Sequence, residues 1–249
     1  DIQKKIQEKY FDLIIYGSVR RSDKFIDDVI KHNNKVIFID GEDDNIIDEK
    51  YIKSGLYFKR ELLENKHNVL PISFAVPKEK ILKNINDNPT NLLAPLVPGR
   101  LSTYIYQDEK TYYSMYSNSI FAITNKKLGW DCLRHYEILM NGCIPLFLDI
   151  ESCPKKIMED MPKQRLIEIK NRFQYIFNSE NPFKIFIKKF QKKTIIIDYL
   201  KYKFGSKLNI SNFLKKNTDV FEIKNNLLNY TKEKLTTEVL AKKILKELN

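Results

Sequence analysis

The chain has 249 residues, 43% apolar and 12% aromatic, which is enough for one large domain or two small ones and too hydrophobic for a disordered chain. Seven glycines and nine prolines exclude collagen-like and low-complexity readings, and no run of about 18 apolar residues is present to span a bilayer as a helix. The net charge of +11 is uneven: residues 181–249 carry 16 lysines against 6 acidic residues, a net of +10, so the basicity is not spread as a nucleic-acid binder would spread it.

The opening Asp1-Ile2-Gln3-Lys4-Lys5-Ile6 has no apolar h-region, so no secretory leader is expected. Asp12–Tyr16 is a short apolar run that ends in the polar turn Gly17-Ser18-Val19-Arg20-Arg21, the signature of a buried strand. Ser22-Asp23 is placed to cap a helix in which Phe25, Ile26, Val29 and Ile30 recur at helical spacing. Val36–Gly41 is a second buried strand with its turn, and strand, helix, strand over about 30 residues is the βαβ unit of a parallel sheet. Leu56–Glu61 reads as a short strand or helix, Val69–Phe74 as a further apolar run, and the Asn-, Asp- and Pro-rich stretch 84–98 as a linker.

The alternation then resumes. Ser102–Tyr106 reads as a strand, Glu109–Ser117 as a helix rich in tyrosine, and Ile120–Thr124 as a strand. Asn125–Trp130 is a loop, Asp131–Asn141 a helix stopped by Gly142, and Cys143–Asp149 the next strand. From Leu166 onward the pattern is mostly helical and ends in a helix over about 231–248. Phe183, Phe186, Ile187, Phe190 and Ile197, interleaved with lysines, make the basic segment 183–203 a candidate for contact with an anionic membrane surface; a solvated basic face on a packed helix is the competing reading.

Three cysteines without a CxxC and three scattered histidines supply neither a disulfide framework nor a metal centre, and they point to a reducing, cytoplasmic setting. None of the seven glycines forms GxG, which argues against a dinucleotide-dependent oxidoreductase, and a P-loop is absent. Open parallel sheets take ligands at the carboxyl ends of their strands, so the loops Gly17–Arg21 and Asn125–Trp130 are the ones to inspect.

The most informative stretch is Lys126-Lys127-Leu128-Gly129-Trp130-Asp131-Cys132-Leu133-Arg134-His135-Tyr136-Glu137. Asp131 fits a helix N-cap, and the free amides of a helix start favour anions. Lys126 and Lys127 precede them, Arg134 lies one turn in, and Glu137 is three residues farther on the same face. Cations with a helix start suit a diphosphate; an ionised carboxylate is acceptor-only and can take the hydroxyl protons of a ribose diol. Trp130 can stack on a base or sugar or anchor a core, and the tyrosines 104, 106, 112, 113 and 116 read as core or cleft lining.

The run Arg134-His135-Tyr136-Glu137-Ile138-Leu139-Met140-Asn141-Gly142-Cys143-Ile144-Pro145 resembles the donor-binding helix of GT-B glycosyltransferases of the exostosin-like and family-1-like kind, over about 45 residues from Thr124 to Pro154. The resemblance implies an α/β fold of two Rossmann-like lobes with a cleft between them. The divisions would be 1–85 as a short or truncated acceptor-side lobe, 86–205 as the nucleotide-sugar lobe and 206–249 as a C-terminal helical segment. It implies metal-independent transfer of a sugar from a UDP- or GDP-sugar to a glycan, lipid-linked or protein acceptor, with no permanently bound cofactor and no nucleic-acid partner. Glu137 would bind the ribose, and Arg134 with the Lys126–Gly129 loop the diphosphate. Arg134 and His135 are the catalytic candidates, with a packed, hydrogen-bonded histidine as the competing reading of His135. Thr124, Trp130, Asp131 and, across the cleft, Gly17 and Ser18 complete the donor-binding set. Many GT-B enzymes carry an acidic residue where Gly129 stands; Asp131, two residues on, is read either as the contact to the sugar in its place or as a helix cap alone. A non-catalytic nucleotide-sugar-binding module is the alternative function.

Overall fold

The computed structural model describes residues 1–32, 34–173 and 210–248. Contacts divide the chain into two compact units. The first comprises Asp1–Phe74, Lys126–Cys132 and Cys153–Asp160; the second comprises Ala75–Asn125, Leu133–Ser152 and the described residues from Met161 on. The segments 126–132 and 153–160 thus group with the N-terminal strands, not with the strands beside them in sequence.

In the first unit, the apolar runs form four parallel strands, β1 (Ile14–Tyr16), β2 (Val36–Asp40), β3 (Leu56–Lys59) and β4 (Val69–Pro71), which lie side by side in that order. Ile15 lies opposite Ile37, Phe38 opposite Tyr57 and Phe58 opposite Leu70. Helices α1 (Ile2–Gln7), α2 (Ile26–Lys31) and α3 (Glu49–Ile52) accompany them. Val29, Phe38 and Tyr57 are fully enclosed in a core with Val19, Ile26, Val36, Tyr51 and Leu62. Each such large apolar side chain contributes roughly 1.5–3 kcal/mol on burial. The helix expected from a Ser22-Asp23 cap starts later: Phe25 holds the cap position in a left-handed conformation, with φ 63°, and packs against the core. The Asp23 carbonyl accepts the Ile26 amide, so a tight turn replaces the side-chain cap.

In the second unit, β5 (Asn91–Leu93), β6 (Ser119–Thr124) and β7 (Ile144–Phe147) form a three-stranded parallel sheet in that order. Helix α4 (Glu109–Ser117) joins β5 to β6, and α5 (Leu133–Met140) lies between β6 and β7 in sequence. Strand β6 is buried at every position, as a central parallel strand must be. The second βαβ unit therefore stands where the sequence placed it. The stretch read as a linker contains β5, whose Ala94 amide continues the ladder to the Phe121 carbonyl. The strand expected over 102–106 is instead a 3-10 turn, Leu101–Thr103, closed by the Thr103 hydroxyl against Val97 and Arg100.

After β7 come α6 (Lys163–Phe173), α7 (Ile210–Lys216), α8 (Val220–Lys234) and α9 (Thr237–Lys246). The single C-terminal helix expected over 231–248 is divided. The Val76 backbone bonds to the Leu235 carbonyl and the Thr237 amide, and Thr236 caps α9 by accepting from Val239 N at 3.3 Å. The basic segment 183–203 lies outside the described residues. The chain is thus mixed α/β, with two parallel sheets of four and three strands and a helical C-terminal portion, an arrangement compatible with Rossmann-like lobes.

Candidate functional site

The predicted residues fall in two places. Lys126, Lys127, Gly129, Trp130 and Asp131 belong with Gly17 and Ser18 to the first unit; Thr124, Arg134, His135 and Glu137 belong to the second.

In the first unit the loop 126–132 is held by two charged residues that directly follow β3. Arg60 and Glu61 are 5% and 4% exposed. The Arg60 guanidinium donates twice to the Gly41 carbonyl, at 2.9 and 2.7 Å, and also to the Asp131 carbonyl and the Asp43 carboxylate. Glu61 accepts the Trp130 amide at 3.1 Å and the Asp131 amide at 2.9 Å. These amides were expected to be open to a diphosphate; an internal carboxylate already occupies them. Gly129 is where the chain passes closest. A Cβ there would stand 2.6 Å from one Glu61 oxygen and 2.9 Å from an Asp43 oxygen, so this glycine admits a carboxylate of the chain itself. The Asp131 carboxylate accepts the Phe74 amide at 2.8 Å, and the helix begins at Leu133, two residues on. Lys126 lies over the half-buried Trp130 ring at 5.1 Å, while Lys127 is exposed. Gly17 and Ser18 are exposed in the turn after β1, with open space around Gly17.

In the second unit α5 carries the chemistry. It is closed by a Schellman motif: Gly142, with φ +62°, donates to the Leu139 carbonyl at 3.0 Å and Cys143 to the Ile138 carbonyl at 3.1 Å. That firm C-terminus fixes the rotation of the helix, hence which residues are enclosed. Arg134 is 5% exposed. Its Nη2 donates to the Tyr104 hydroxyl at 3.1 Å, and its guanidinium lies 6.0 Å from the Tyr104 ring centre. Its Nη1 is buried and has no hydrogen-bond partner among the described residues. One turn on, Glu137 is half-buried, and its Oε2 accepts the Tyr112 hydroxyl at 2.8 Å. Burial pushes the Glu137 carboxyl above its ordinary range, against the pull of the Tyr112 hydrogen bond and the Arg134 charge.

Thr124, expected at the donor, and His135, a catalytic candidate whose competing reading is a packed, hydrogen-bonded histidine, are interior residues. They are 0% and 1% exposed, the imidazole Nδ1 lies 2.8 Å from the Thr124 hydroxyl, and the ring packs 4.3 Å from that of Phe147. The geometry makes His135 a core histidine that joins α5 to the sheet, through Thr124 of β6 and Phe147 of β7.

Sequence reasoning missed Arg60 and Glu61 and assigned Tyr104 and Tyr112 no partner. A signal existed for the first pair, since charges directly after an apolar strand stand at the carboxyl edge of a parallel sheet. The tyrosine partners carry no local signal, because the contacts span 25 and 30 residues. Among the described residues no group of three or more His, Cys, Asp or Glu side chains is placed to hold a metal, and no helix is long and apolar enough to cross a membrane. Cys132, Cys143 and Cys153 are free thiols, and burial pushes Cys143 up to about 12. Comparison of the chain with protein-family models, with curated proteins and with solved structures finds no match.

Proposed function

We propose that the chain is a glycosyltransferase of the GT-B kind, which takes a nucleotide-diphosphate sugar as donor and holds it on the α5 face of the second unit. The observation that carries the reading is the pair Arg134 and Glu137. A nine-tenths-buried guanidinium keeps one nitrogen without a partner, and a half-buried carboxylate lies one turn away with one oxygen engaged. Burial of an unpaired donor is costly unless a ligand completes it. A diphosphate supplies the acceptor that Arg134 Nη1 lacks, and a ribose hydroxyl supplies a donor to Glu137. As the glycosidic bond to the diphosphate breaks, charge accumulates on the departing oxygen, and Arg134 stabilises it more strongly than in the ground state. UDP- and GDP-sugars are the donors to test, with a glycan, lipid-linked or protein acceptor.

The burial of His135 favours a second reading. With that residue in the core, hydrogen-bonded to Thr124, His135 does not stand beside Arg134 as a general base, which suits a module that binds a nucleotide sugar without turnover. A thermal-shift screen against UDP-, GDP- and ADP-sugars addresses binding. A donor at 100 times its dissociation constant stabilises the fold by about 2.7 kcal/mol. Glu137→Ala and Arg134→Gln are expected to abolish the shift while the apo variants stay folded. Variants that respond like the wild type would remove α5 from the donor site, and hydrolysis or transfer assays on the same donors separate enzyme from binder.

A further inference from the structure

Helix α4 presents a chain of phenols to α5. The Tyr112 hydroxyl lies 2.8 Å from Glu137 Oε2 and 3.2 Å from the Tyr116 hydroxyl. An ionised carboxylate has no proton to give, so Tyr112 donates to Glu137 and, its own proton committed, accepts the proton of Tyr116. The direction of both bonds is therefore set by the charge on Glu137. The rings are not free to turn away. Tyr116 is 1% exposed and meets Tyr112 edge to face at 5.2 Å, and Tyr106 closes on Tyr112 at 6.2 Å. Asp108 fixes the register of α4 by capping it through the Thr111 amide at 2.8 Å. Oε1 of Glu137 accepts no hydrogen bond among the described residues.

We propose that Tyr112 is a positioning residue for Glu137: held by Tyr116, it occupies Oε2, fixes the plane of the carboxylate, favours its ionised form, and leaves Oε1 whole for a ligand hydroxyl. The assignment of that hydroxyl to a donor sugar rests on the reading above; the positioning itself does not. The other charged groups that bear on Glu137 are Arg134 on its own helix, Glu109 on α4 and Lys80 in the 3-10 turn Lys78–Lys80. The cations favour its charge, and Glu109 opposes it. Glu109 is itself paired with Lys80 and accepts from Tyr113 at 3.0 Å, so its contribution is muted.

The test is a carboxyl-carbon NMR titration of the full chain, with the Glu137 resonance assigned by its loss in Glu137→Gln. In Tyr112→Phe the midpoint of Glu137 is expected to move to higher pH, and in Tyr116→Phe to move the same way by less, with circular dichroism unchanged in both. A midpoint unaltered in Tyr112→Phe overturns the proposal, because a tyrosine that only packs would leave the titration in place. Calorimetry with UDP-glucose and GDP-mannose at pH 7 adds the functional arm, where Tyr112→Phe is expected to weaken the bound donor about tenfold. If the wild type binds neither nucleotide, the donor reading fails while the titration still decides the role of Tyr112.

Discussion

Glu137 keeps a charge where the surroundings disfavour one, and the price is visible in acid–base behaviour. Its carboxyl is held above the ordinary range mainly by burial. Between the two ranges the folded chain binds more protons than the unfolded chain. Stability that Glu137 confers in acid is therefore lost as pH rises through the folded-state value. Glu137→Gln preserves the shape and an acceptor for Tyr112 while it removes the charge. It is expected to melt above the wild type at pH 7, and the gap should close as the pH falls below the ordinary carboxyl range. Melting curves at several pH values check this; a variant less stable than the wild type at pH 7 would contradict it.

At the scale of elements, the carboxyl end of β2 is tied to its neighbours by a buried charge. Asp40 ends β2 with its side chain fully enclosed, and its Oδ2 lies 2.6 Å from the Tyr57 hydroxyl, 2.9 Å from Arg20 Nε and 3.1 Å from Lys59 Nζ. Lys59 is equally enclosed at the end of β3, and Arg20 comes from the turn after β1. Asp40 thus binds two cations from two other elements at the ends of these strands, and the more exposed Asp44 shares them, 2.7 Å from Arg20 Nη2 and 3.6 Å from Lys59 Nζ. Burial and the bond to Asp40 raise the Tyr57 phenol far above its ordinary value, so it stays a donor. Removing Asp40 leaves the enclosed Lys59 with the longer pair to Asp44, at 3.6 Å, at a cost of up to about 3–5 kcal/mol. Asp40→Asn is expected to lower the urea midpoint by that equivalent, with the slope unchanged. Asp40→Leu combined with Lys59→Met should recover part of the loss, since apolar groups need no partner. A wild-type midpoint in Asp40→Asn would show that the cluster is not what fastens these strands.

The elements themselves were legible to different degrees. Runs such as Val36–Asp40 and Ser119–Thr124 announce buried strands because both faces of a parallel sheet must be apolar. Helix α4 and the stop of α5 at Gly142 were equally readable, because helical propensity and left-handed backbone are local chemistry. Strand β5 was hidden in a Pro- and Asn-rich stretch, because its three residues are strand only by pairing with β6. The break between α8 and α9 was hidden because a distant backbone, at Val76, makes it.

For the whole molecule, charge is the long-range property. The +10 of residues 181–249 is a field that no single contact expresses. The proposed membrane contact through the basic segment makes a definite expectation. The chain should sediment with vesicles that contain anionic lipid and not with neutral ones, and added salt should release it. Equal partition between the two kinds of vesicle would dismiss that contact.

The sequence by itself determined the class of architecture, the two strand-helix-strand units over residues 12–41 and 120–149, and Arg134 and Glu137 as a polar pair on one helix face. These follow from periodicity and capping, which act over a few residues. Only the tertiary structure decided that the Trp130 and Asp131 amides are taken by Glu61, that Gly129 makes room for that carboxylate, that His135 faces the core, and that Tyr112 sits on Glu137. The reason is distance along the chain. Hydrogen bonds between residues 11 to 70 positions apart are chosen by how the sheets and helices pack, and no local pattern of residue types encodes that choice.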